Sequence, residues 1–473
     1  MKLIEFVCLA VLTTKGLSSP SAEVRESLMD SLYGELVATP ESRHYQAQMM
    51  TQGEVRPPAA ENKIASFDQR AVWDSLDAKD AVGLQQALYR HFESQKTSRE
   101  QPYNDHFYAK AHESYMKARG KVHLPADDDT SDIFDENGSL FGGIVTFGRF
   151  PHFNCFDKES YNRDIDIAVV GAPFDTGVSY RPGARFGPNS VREASKRLGG
   201  LSMDRGRLNK HNSLAGINPY DTNSHNYSII DCGDVPMTPF DNRIALNQLY
   251  RGERAIHKHS SKTKPRVVTI GGDHTVTLMA LRSAYEQYGQ LSVIHFDSHI
   301  DTWDPKVLGG GLSSYMALNH GTFLHYAAEQ GYLNKGACFH AGMRAPFIDA
   351  SYDRQHDADC GFNIFTARDL DRFGPVEIAR RIKQKVGSSP IYISVDIDVL
   401  DPANAPATGT MEIGGWTSRE LLNVLDALQG LDVVGADVVE VSPPYDSHSE
   451  VTSLAATAVI DSFLGLIINS LNR

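Results

Sequence analysis

Three short stretches of the sequence gather carboxylate and imidazole side chains, and each stretch includes or directly follows an apolar run. These side chains are Asp273 and His274 in GGDHT, Asp297, His299 and Asp301 in HFDSHIDT, and Asp396, Asp398 and Asp401 in SVDIDVLDP. Side chains of an extended chain alternate with a period of two, so residues two positions apart are expected to lean toward the same side. Carboxylates crowded in this way raise one another's pKa, and bound cations remove that penalty.

The types of these side chains favour manganese. Four aspartates and two histidines form an oxygen-rich ligand set with some nitrogen, which suits Mn²⁺ better than a sulfur-rich zinc site would. Six ligands are too many for one ion that must leave room for a substrate, so two ions bridged by carboxylates fit the count. Taken alone, GGDH is commonly a turn before a helix, which Asp273 would support, and D-I-D can serve in capping or in a salt bridge. Their joint occurrence at predicted strand ends indicates a two-metal site.

The elements that must position these side chains begin near residue 141. Apolar runs typical of strands alternate with amphipathic helical patterns, and the predicted strands are DIAVVGAP, RVVTIGGD, LSVIHFD, ACFHAGMR, PIYISVDID and LDVVGADVVEV. The pattern of TSRELLNVLDALQG predicts a helix with a capping box made by Thr417 and Glu420. Strands that are apolar on both faces need helices on both sides. The sequence therefore predicts an α/β fold with a mostly parallel sheet, doubly wound rather than a barrel, with ligands bound at the carboxyl ends of the strands.

The chain before residue 141 has a different composition. Residues 1–19 predict a secretory signal, because Lys2 precedes an apolar stretch that ends in small residues, although Glu5 interrupts it. This predicts the secretory pathway or an extracellular location, with a mitochondrial presequence as the alternative. Residues 20–140 are polar and end in an acidic linker, so we expect a partly ordered N-terminal extension before a catalytic domain at 141–473. No other segment is apolar for long enough to predict a membrane span.

Composition excludes some functions. The chain has 473 residues and a formal net charge of −13, which argues against nucleic acid and mildly favours cationic ligands. None of its five cysteines forms a C-x-x-C pair. Cys232 and Cys338 lie in apolar, strand-like segments, which favours buried free thiols. Whether Cys155, Cys232, Cys338 and Cys360 form any disulfide stays open.

The three stretches also resemble the signatures of a known family. GGDHT, HFDSHIDT and SVDIDVLDPANAPATGT are similar to those of the ureohydrolases, the arginases and agmatinases, and most similar to agmatinases and guanidinobutyrases of fungal type. The resemblance continues in GAPFDTGVSYRPGARFGPNSVREAS, LNHGTFLHYA and GADVVEVSPPYD and covers residues 145–473. It implies a three-layer α/β/α fold, two Mn²⁺ ions per subunit, assembly into trimers or hexamers, and hydrolysis of a guanidino compound to an amine and urea.

The resemblance also implies a role for each ligand. Asp297 and Asp396 would bridge the ions, His274 and Asp301 would bind one ion, and His299 and Asp398 would bind the other. Two such ions lower the pKa of a bridging water and hold hydroxide at neutral pH, which a poorly electrophilic guanidinium carbon requires.

Three further roles follow from the same resemblance. Asp301 would orient the hydroxide, and His320, in LNHGT, would carry a proton to the leaving amine. Glu440, in VVEVSP, would bind the guanidinium through paired hydrogen bonds. Two of these roles have an alternative: His320 as an ordinary loop histidine, and Glu440 in an internal salt bridge with Arg344.

The substrate tail is the least determined part of the function. Agmatine, giving putrescine and urea, is the leading substrate, and 4-guanidinobutanoate is the nearest rival. A non-catalytic, metal-stabilised binding protein and a phosphoesterase are other classes, but the ligand segments lack the basic residues that phosphate needs. The segment between Asp301 and His320 lacks the Asn and Ser pattern with which arginases hold an amino acid. Asp175, Tyr180, Trp303 and Trp416 are weaker candidates near the mouth, although packing is the commoner use of Trp.

Overall fold

A computed structural model describes residues 29, 126–128, 130, 145–198, 218–220, 225–309 and 314–473. The predicted signal at 1–19 lies outside the described residues, as does most of the predicted extension at 20–140. The description of the fold therefore concerns the predicted catalytic domain.

The centre of this domain is an eight-stranded sheet. Its strands are β1 (Ile167–Gly171), β2 (Ile229–Asp234), β3 (Arg266–Ile270), β4 (Ser292–Phe296), β5 (Cys338–Met343), β6 (Phe362–Thr366), β7 (Ile391–Asp396) and β8 (Val433–Val439). Their order is β2-β1-β3-β8-β7-β4-β5-β6, and every pairing is parallel. The predicted open parallel sheet is confirmed, and the six strands predicted from sequence are the six between its two edges.

Helices connect the strands and cover the sheet. In the described residues they are α1 (Gly187–Ala194), α2 (Asn242–Ile256), α3 (Thr277–Tyr288), α4 (Phe323–Glu329), α5 (Ala350–Cys360), α6 (Asp369–Val386, interrupted at Gly374), α7 (Ser418–Ala427) and α8 (Val451–Leu471). The capping box predicted for α7 is present, since Thr417 and Glu420 each accept from the other's backbone N–H. Asp241 and Asp349 cap α2 and α5 in the same way with one side chain each.

The sheet separates two hydrophobic layers. On β1, Ile167 and Val169 pack into one buried cluster, whereas Ala168 and Val170 pack into the other. The first cluster contains apolar residues of α6, α7 and α8, and the second contains those of α2, α3 and α4. A strand that must be apolar on both faces needs helices on both sides. The predicted three-layer α/β/α architecture is therefore confirmed.

The C-terminal helix α8 corrects one expectation. By length and composition its 21 residues are apolar enough to cross a membrane, with a mean hydropathy of 1.9 in the most apolar window. No such segment was expected from the sequence. Most of the helix is buried against the sheet, where Phe463, Leu464 and Ile467 have no exposed surface. Its apolar composition is explained by burial inside the domain.

One pair of cysteines is joined across a long stretch of chain. Cys155 and Cys232 form a disulfide with a sequence separation of 77 residues, so the expectation of a free thiol at Cys232 is wrong. Cys338 and Cys360 are free and buried, and for Cys338 that expectation is confirmed. Because Cys232 lies on β2, the disulfide fixes an edge strand of the sheet to the segment that precedes β1.

Replacing both bonded cysteines, as Cys155→Ser with Cys232→Ser, is expected to lower the free energy of unfolding by roughly 2–5 kcal/mol, because the unfolded chain loses its cross-link. Equilibrium denaturation without reductant measures the difference. A thiol reductant should bring the wild-type protein down to the stability of the double variant. Equal stability of the two proteins under oxidising conditions would contradict the assignment.

Candidate metal centre and active site

Four neighbouring strands bring the predicted site residues to one edge of the sheet. In the order β3-β8-β7-β4, His274 follows β3, Glu440 follows β8, Asp396 ends β7, and Asp297 follows β4. All four strands are parallel, so their carboxyl ends meet at the same edge. Residues from four separate parts of the sequence are thereby placed side by side.

The first group of ligand atoms surrounds the Nδ1 atom of His274. This nitrogen lies 3.2 Å from Oδ2 of Asp297, 3.1 Å from Oδ2 of Asp301 and 3.3 Å from Oδ2 of Asp396. All four side chains are buried. Their close approach confirms the convergence expected from the sequence. Strand alternation explains this convergence only in part. Strand β4 ends at Phe296, and Asp301 reaches the group through a left-handed backbone conformation with φ of 52°.

The second group surrounds His299. Its Nδ1 lies 3.1 Å from Oδ1 of Asp297 and 3.1 Å from Oδ2 of Asp398. The two oxygens of Asp297 therefore face different histidines, as a carboxylate that bridges two ions must do. Asp396 differs, because its Oδ1 accepts the N–H of Asp398 and its Oδ2 faces only the first group. The bridging role of Asp396 stays a prediction.

The donor atoms of both groups fit divalent cations. In the part of the chain that the structure describes, no hydrogen-bond partner exists for four buried atoms, His274 Nδ1, His295 Nε2, Asp297 Oδ2 and Asp398 Oδ2. Burial, together with the Asp297 carboxylate, raises the pKa of Asp301 to about 6, and burial with Asp398 raises that of Asp396 well above its usual value. Carboxylates held so close require either protons or cations between them. An oxygen-rich centre of this kind suits Mn²⁺.

A buried relay fixes the orientation of His274. The hydroxyl of Ser394 on β7 donates to Oδ1 of Asp437 on β8 at 2.6 Å. Its oxygen then accepts the Nε2 proton of His274 at 2.8 Å. The lone pair of His274 is therefore on Nδ1, the atom that faces the three carboxylates. Such partners of metal-binding histidines set the tautomer and strengthen binding.

His295 is a member of the first group that the sequence analysis missed. Its Nε2 lies 3.0 Å from Oδ2 of Asp297. Asp357 accepts from His340 Nε2 at 2.8 Å, and the Nδ1 atoms of His340 and His295 are 2.8 Å apart. With His340 accepting, His295 carries its proton on Nδ1 and presents a lone pair to Asp297. The signal was present in the sequence, because His295 extends the two-residue spacing of Asp297, His299 and Asp301 into the apolar run.

Ser298 and Asp401 have supporting positions. The hydroxyl of Ser298 donates to Oδ1 of Asp398 at 2.7 Å, and its backbone N–H donates to the same oxygen. Asp401, in contrast, accepts backbone N–H groups of Ala403, Gly414 and Gly415. It shapes a turn beside the centre and takes no part in either ligand group.

The GGDH turn requires a very close approach of two chain segments. A Cβ atom at Gly272 would lie 1.7 Å from the carbonyl oxygen of Phe174, so only glycine fits there. The next residue, Asp273, donates its N–H to the same carbonyl at 2.7 Å and accepts the N–H groups of Thr275 and Gly177. Asp273 therefore supports the turn, as one reading of the sequence expected, and leaves His274 to face the centre.

His320 and Glu440 lie together beside the ligand groups. Nδ1 of His320 is 3.2 Å from Oε1 of Glu440, which also accepts the backbone N–H of His274 at 2.8 Å. Nε2 of His320 accepts the N–H of Ser179 at 3.1 Å. Burial alone would lower the pKa of His320, but the hydrogen bond to Glu440 raises it above its usual value. The predicted pair is thus brought into contact, with Ser179 as a partner that the sequence did not reveal.

The alternative partner for Glu440 is not used. Arg344 instead donates to a set of backbone carbonyl oxygens, those of Gly342, Asp398, Val399, Leu400 and Glu412. Glu440 is 1% exposed, and its Oε2 has no hydrogen-bond partner among the described residues. A buried carboxylate oxygen left in this state is placed to accept hydrogen bonds from a bound ligand.

The loop that follows β1 is scaffolding at its centre and exposed at its tip. Asp175 is buried, bonds the Arg185 side chain and accepts the N–H of Gly183, so it does not face a substrate. Arg181 lies over the rings of Tyr180 and Tyr445, with centroids at 5.1 Å and 5.4 Å. Tyr180 is 66% exposed and stays available to a ligand.

Trp303 and Trp416, the two candidate tryptophans, are packing residues. Trp416 is 2% exposed, contacts Phe296 edge-to-face and donates its N–H to the carbonyl of Ala367. Trp303 is 7% exposed and donates to Asp353, although its ring centroid is 6.3 Å from that of His299. Neither lines the mouth as a free aromatic surface.

The open parallel sheet, with a buried carboxylate and imidazole centre at its carboxyl edge, defines an α/β protein whose site fits divalent cations. Comparison with known proteins narrows this class. The sequence model of the Arginase family matches residues 165–465. The chain therefore belongs to the arginase family of ureohydrolases, as its signature stretches predicted.

Individual relatives agree with this assignment. A protein of Schizosaccharomyces pombe described as "Putative agmatinase 1" is 45% identical over 363 residues, which are 73% of this chain and 86% of that protein. The guanidinobutyrase of Pseudomonas aeruginosa is 33% identical over 321 residues, 68% of this chain and 92% of that protein. The solved structure of proclavaminate amidino hydrolase from Streptomyces clavuligerus has a TM-score of 0.58 and 36% identity, and covers 70% of this chain and 99% of that one.

Replacing Ser394 with alanine is expected to weaken Mn²⁺ binding about 10- to 100-fold, because His274 loses the acceptor that fixes its tautomer. Calorimetric titration of the metal-depleted protein with Mn²⁺ measures the change. Ser292→Ala is the matched control, since that buried hydroxyl on β4 bonds Ser389 instead. Equal affinities of the two variants would argue against the relay.

Proposed function

We propose that the chain hydrolyses agmatine to putrescine and urea with two Mn²⁺ ions held by His274, Asp297, His299, Asp301, Asp396 and Asp398. The observation that carries the proposal is the buried Oε2 atom of Glu440, which has no hydrogen-bond partner among the described residues. The other oxygen, Oε1, contacts His320 and accepts the backbone N–H of His274, a member of the first ligand group. A planar guanidinium offers pairs of N–H donors, and a carboxylate accepts them well.

The ions and the protein groups have separate tasks. When bound, two divalent cations lower the pKa of water and so make a nucleophile available at neutral pH. Glu440 holds the guanidinium so that its carbon faces the ligand groups. Its backbone φ of 61° and that of Asp301, 52°, are unusual for residues with side chains. Such strained conformations concentrate at functional sites.

His320 is placed to carry the proton that the leaving amine needs. In the resting structure its Nδ1–H points to Glu440 and its Nε2 accepts from the Ser179 backbone. A second proton on Nε2 would oppose that N–H, and the Ser179 hydroxyl oxygen, 2.9 Å away, is the acceptor that remains. The protonated ring can therefore move away from the backbone N–H of Ser179 and deliver its proton to the departing amine.

Glu412 favours a cationic tail over a carboxylate tail. Its Oε1 is 3.9 Å from Nε2 of His299, and its side chain is 37% exposed, so it lies at the open side of the second ligand group. Of the nearby arginines, Arg344 is engaged by backbone carbonyl oxygens, including that of Glu412, and Arg181 in the loop after β1 lies over two tyrosine rings. An ammonium group is attracted by such a carboxylate, whereas the carboxylate of 4-guanidinobutanoate is repelled.

Replacing Glu412 with glutamine is expected to lower kcat/KM for agmatine by about 5- to 30-fold, because removal of one partly exposed charge changes binding by roughly 1–2 kcal/mol. The same variant should leave or improve turnover of 4-guanidinobutanoate. Urea release from both compounds and from arginine, with Mn²⁺ added, is the measurement. Glu420→Gln on α7 is the control. Faster wild-type turnover of 4-guanidinobutanoate than of agmatine would refute the proposed substrate, and no urea from any guanidino compound would refute the proposed activity.

Replacing His320 with asparagine is expected to lower kcat about 10²- to 10⁴-fold, with a smaller effect on KM, because a proton donor is lost. The wild-type donor is active while protonated, so its activity is lost as pH rises through the raised pKa of His320. A kcat–pH profile should show this alkaline limb in the wild type and lack it in the variant. An unchanged limb would assign the titration to another group.

We also propose that the chain enters the secretory pathway and assembles as a homo-oligomer. The Cys155–Cys232 disulfide supports the first proposal, because such bonds persist mainly in oxidising compartments. The family resemblance supports the second, with trimers or hexamers as the expected states. Sequencing the N-terminus of the mature protein and light scattering of the purified protein test the two proposals separately.

A further inference from the structure

A second group of metal-binding side chains lies outside the catalytic centre. It consists of His325 on α4 and of His356 and Cys360 on α5, and we call it the α4–α5 cluster. One ligand atom of each residue lies within 4.8 Å of the others. Cys360 is buried, whereas both imidazoles are partly exposed, so an ion from solvent can reach them. No residue of the cluster takes part in the proposed reaction.

The helices bring these three residues together for simple reasons. His356 and Cys360 are four positions apart on α5, so they share one face of that helix. His325 meets this face from α4, with its Nδ1 atom 3.0 Å from Nε2 of His356 and the two rings stacked at 5.1 Å. Tyr352, one turn earlier on α5, stacks on the His356 ring with the two ring centroids 5.8 Å apart.

The charges around the cluster favour a cation. Carboxylates act on its members from both helices and from the segment before α4: Glu329 and Asp304 on His325, and Asp304, Asp357 and Asp359 on Cys360. Lys306 and Lys335 oppose them. Burial lowers the pKa of His325, which keeps its imidazole in the neutral form that a metal needs. Burial and the nearby carboxylates raise the pKa of the Cys360 thiol to about 12, so a metal must displace its proton on binding.

We propose that the α4–α5 cluster binds one Zn²⁺ ion through His325, His356 and Cys360, with water as the fourth ligand. Two imidazoles and one thiolate are softer donors than the oxygen-rich catalytic set, so they select zinc over manganese. Tetrahedral ligands at zinc lie about 3.3–3.7 Å from one another, so the two imidazole nitrogens need to separate by only a few tenths of an ångström. Asp304 is not the fourth ligand, since its oxygens accept from the Tyr352 hydroxyl and the Lys306 N–H.

A zinc ion there would join two helices that each support the catalytic centre. Phe323, at the start of α4, packs on the ring of His274 with centroids 4.5 Å apart. Asp357, between the two α5 ligands, accepts from His340, which contacts His295. The ion would thus fix α4 against α5 without touching the substrate. The site does not depend on the proposed agmatinase activity.

Cobalt binding to the full-length, Mn²⁺-loaded protein tests the proposal, because Co²⁺ occupies zinc sites and gives a thiolate charge-transfer band. The catalytic centre has no sulfur ligand, so this band reports only on the α4–α5 cluster. We expect the band to saturate at one Co²⁺ per chain and to disappear when Zn²⁺ is added. Cys360→Ser should abolish it, and His325→Ala or His356→Ala should weaken binding about tenfold or more.

Matched controls keep the result interpretable. Cys338→Ser removes the other free cysteine of the described residues, and this variant should retain the band. If Cys360→Ser fails to fold, Zn²⁺ must still slow alkylation of Cys360 in the wild-type protein and leave that of Cys338 unchanged. Absence of the band, its persistence in Cys360→Ser, or unprotected alkylation of Cys360 would each overturn the proposal.

Discussion

Lone pairs of buried nitrogen and oxygen atoms face one another in the two ligand groups. The arrangement of the site depends on what relieves their mutual repulsion. His274 and His295 direct lone pairs toward the same oxygen of Asp297 at 3.2 Å and 3.0 Å. The relay through Ser394 and Asp437 removes the option of turning His274 around. Only protons or cations can make such an arrangement favourable, and an oxygen-rich set suits hard divalent cations.

The sheet topology brings these side chains together from distant parts of the chain. Strands β3, β8, β7 and β4 are neighbours in space although their sequence order differs. Each delivers its polar residue at the same edge, while apolar layers on both faces keep the strands rigid. Glu440 arrives on β8 between the strands that supply the ligands. The carboxylate proposed to hold the substrate and the proposed metal ligands are therefore positioned by the same set of strand ends.

The sequence predicted the elements whose apolar residues follow a regular pattern. Central strands are apolar on both faces and were visible, whereas the edge strands β2 and β6 include polar residues such as Asp231 and Asn363 and were not. His295 was missed because it lies inside an apolar run, although it continues the two-residue spacing of the ligands. Ser179 and Ser394 contact the site only through tertiary structure. The disulfide joins cysteines 77 residues apart, and no spacing rule identifies such a pair.

The left-handed backbone of Asp301 and Glu440 has a further consequence for how this domain tolerates change. Glycine adopts such φ values freely, so at these two positions the fold alone would be better served by a residue that cannot do chemistry. Selection for a sturdier domain and selection for turnover thus pull in opposite directions at both carboxylates. If both carboxylates act as proposed, glycine at either position is expected to mark a relative that lacks the activity.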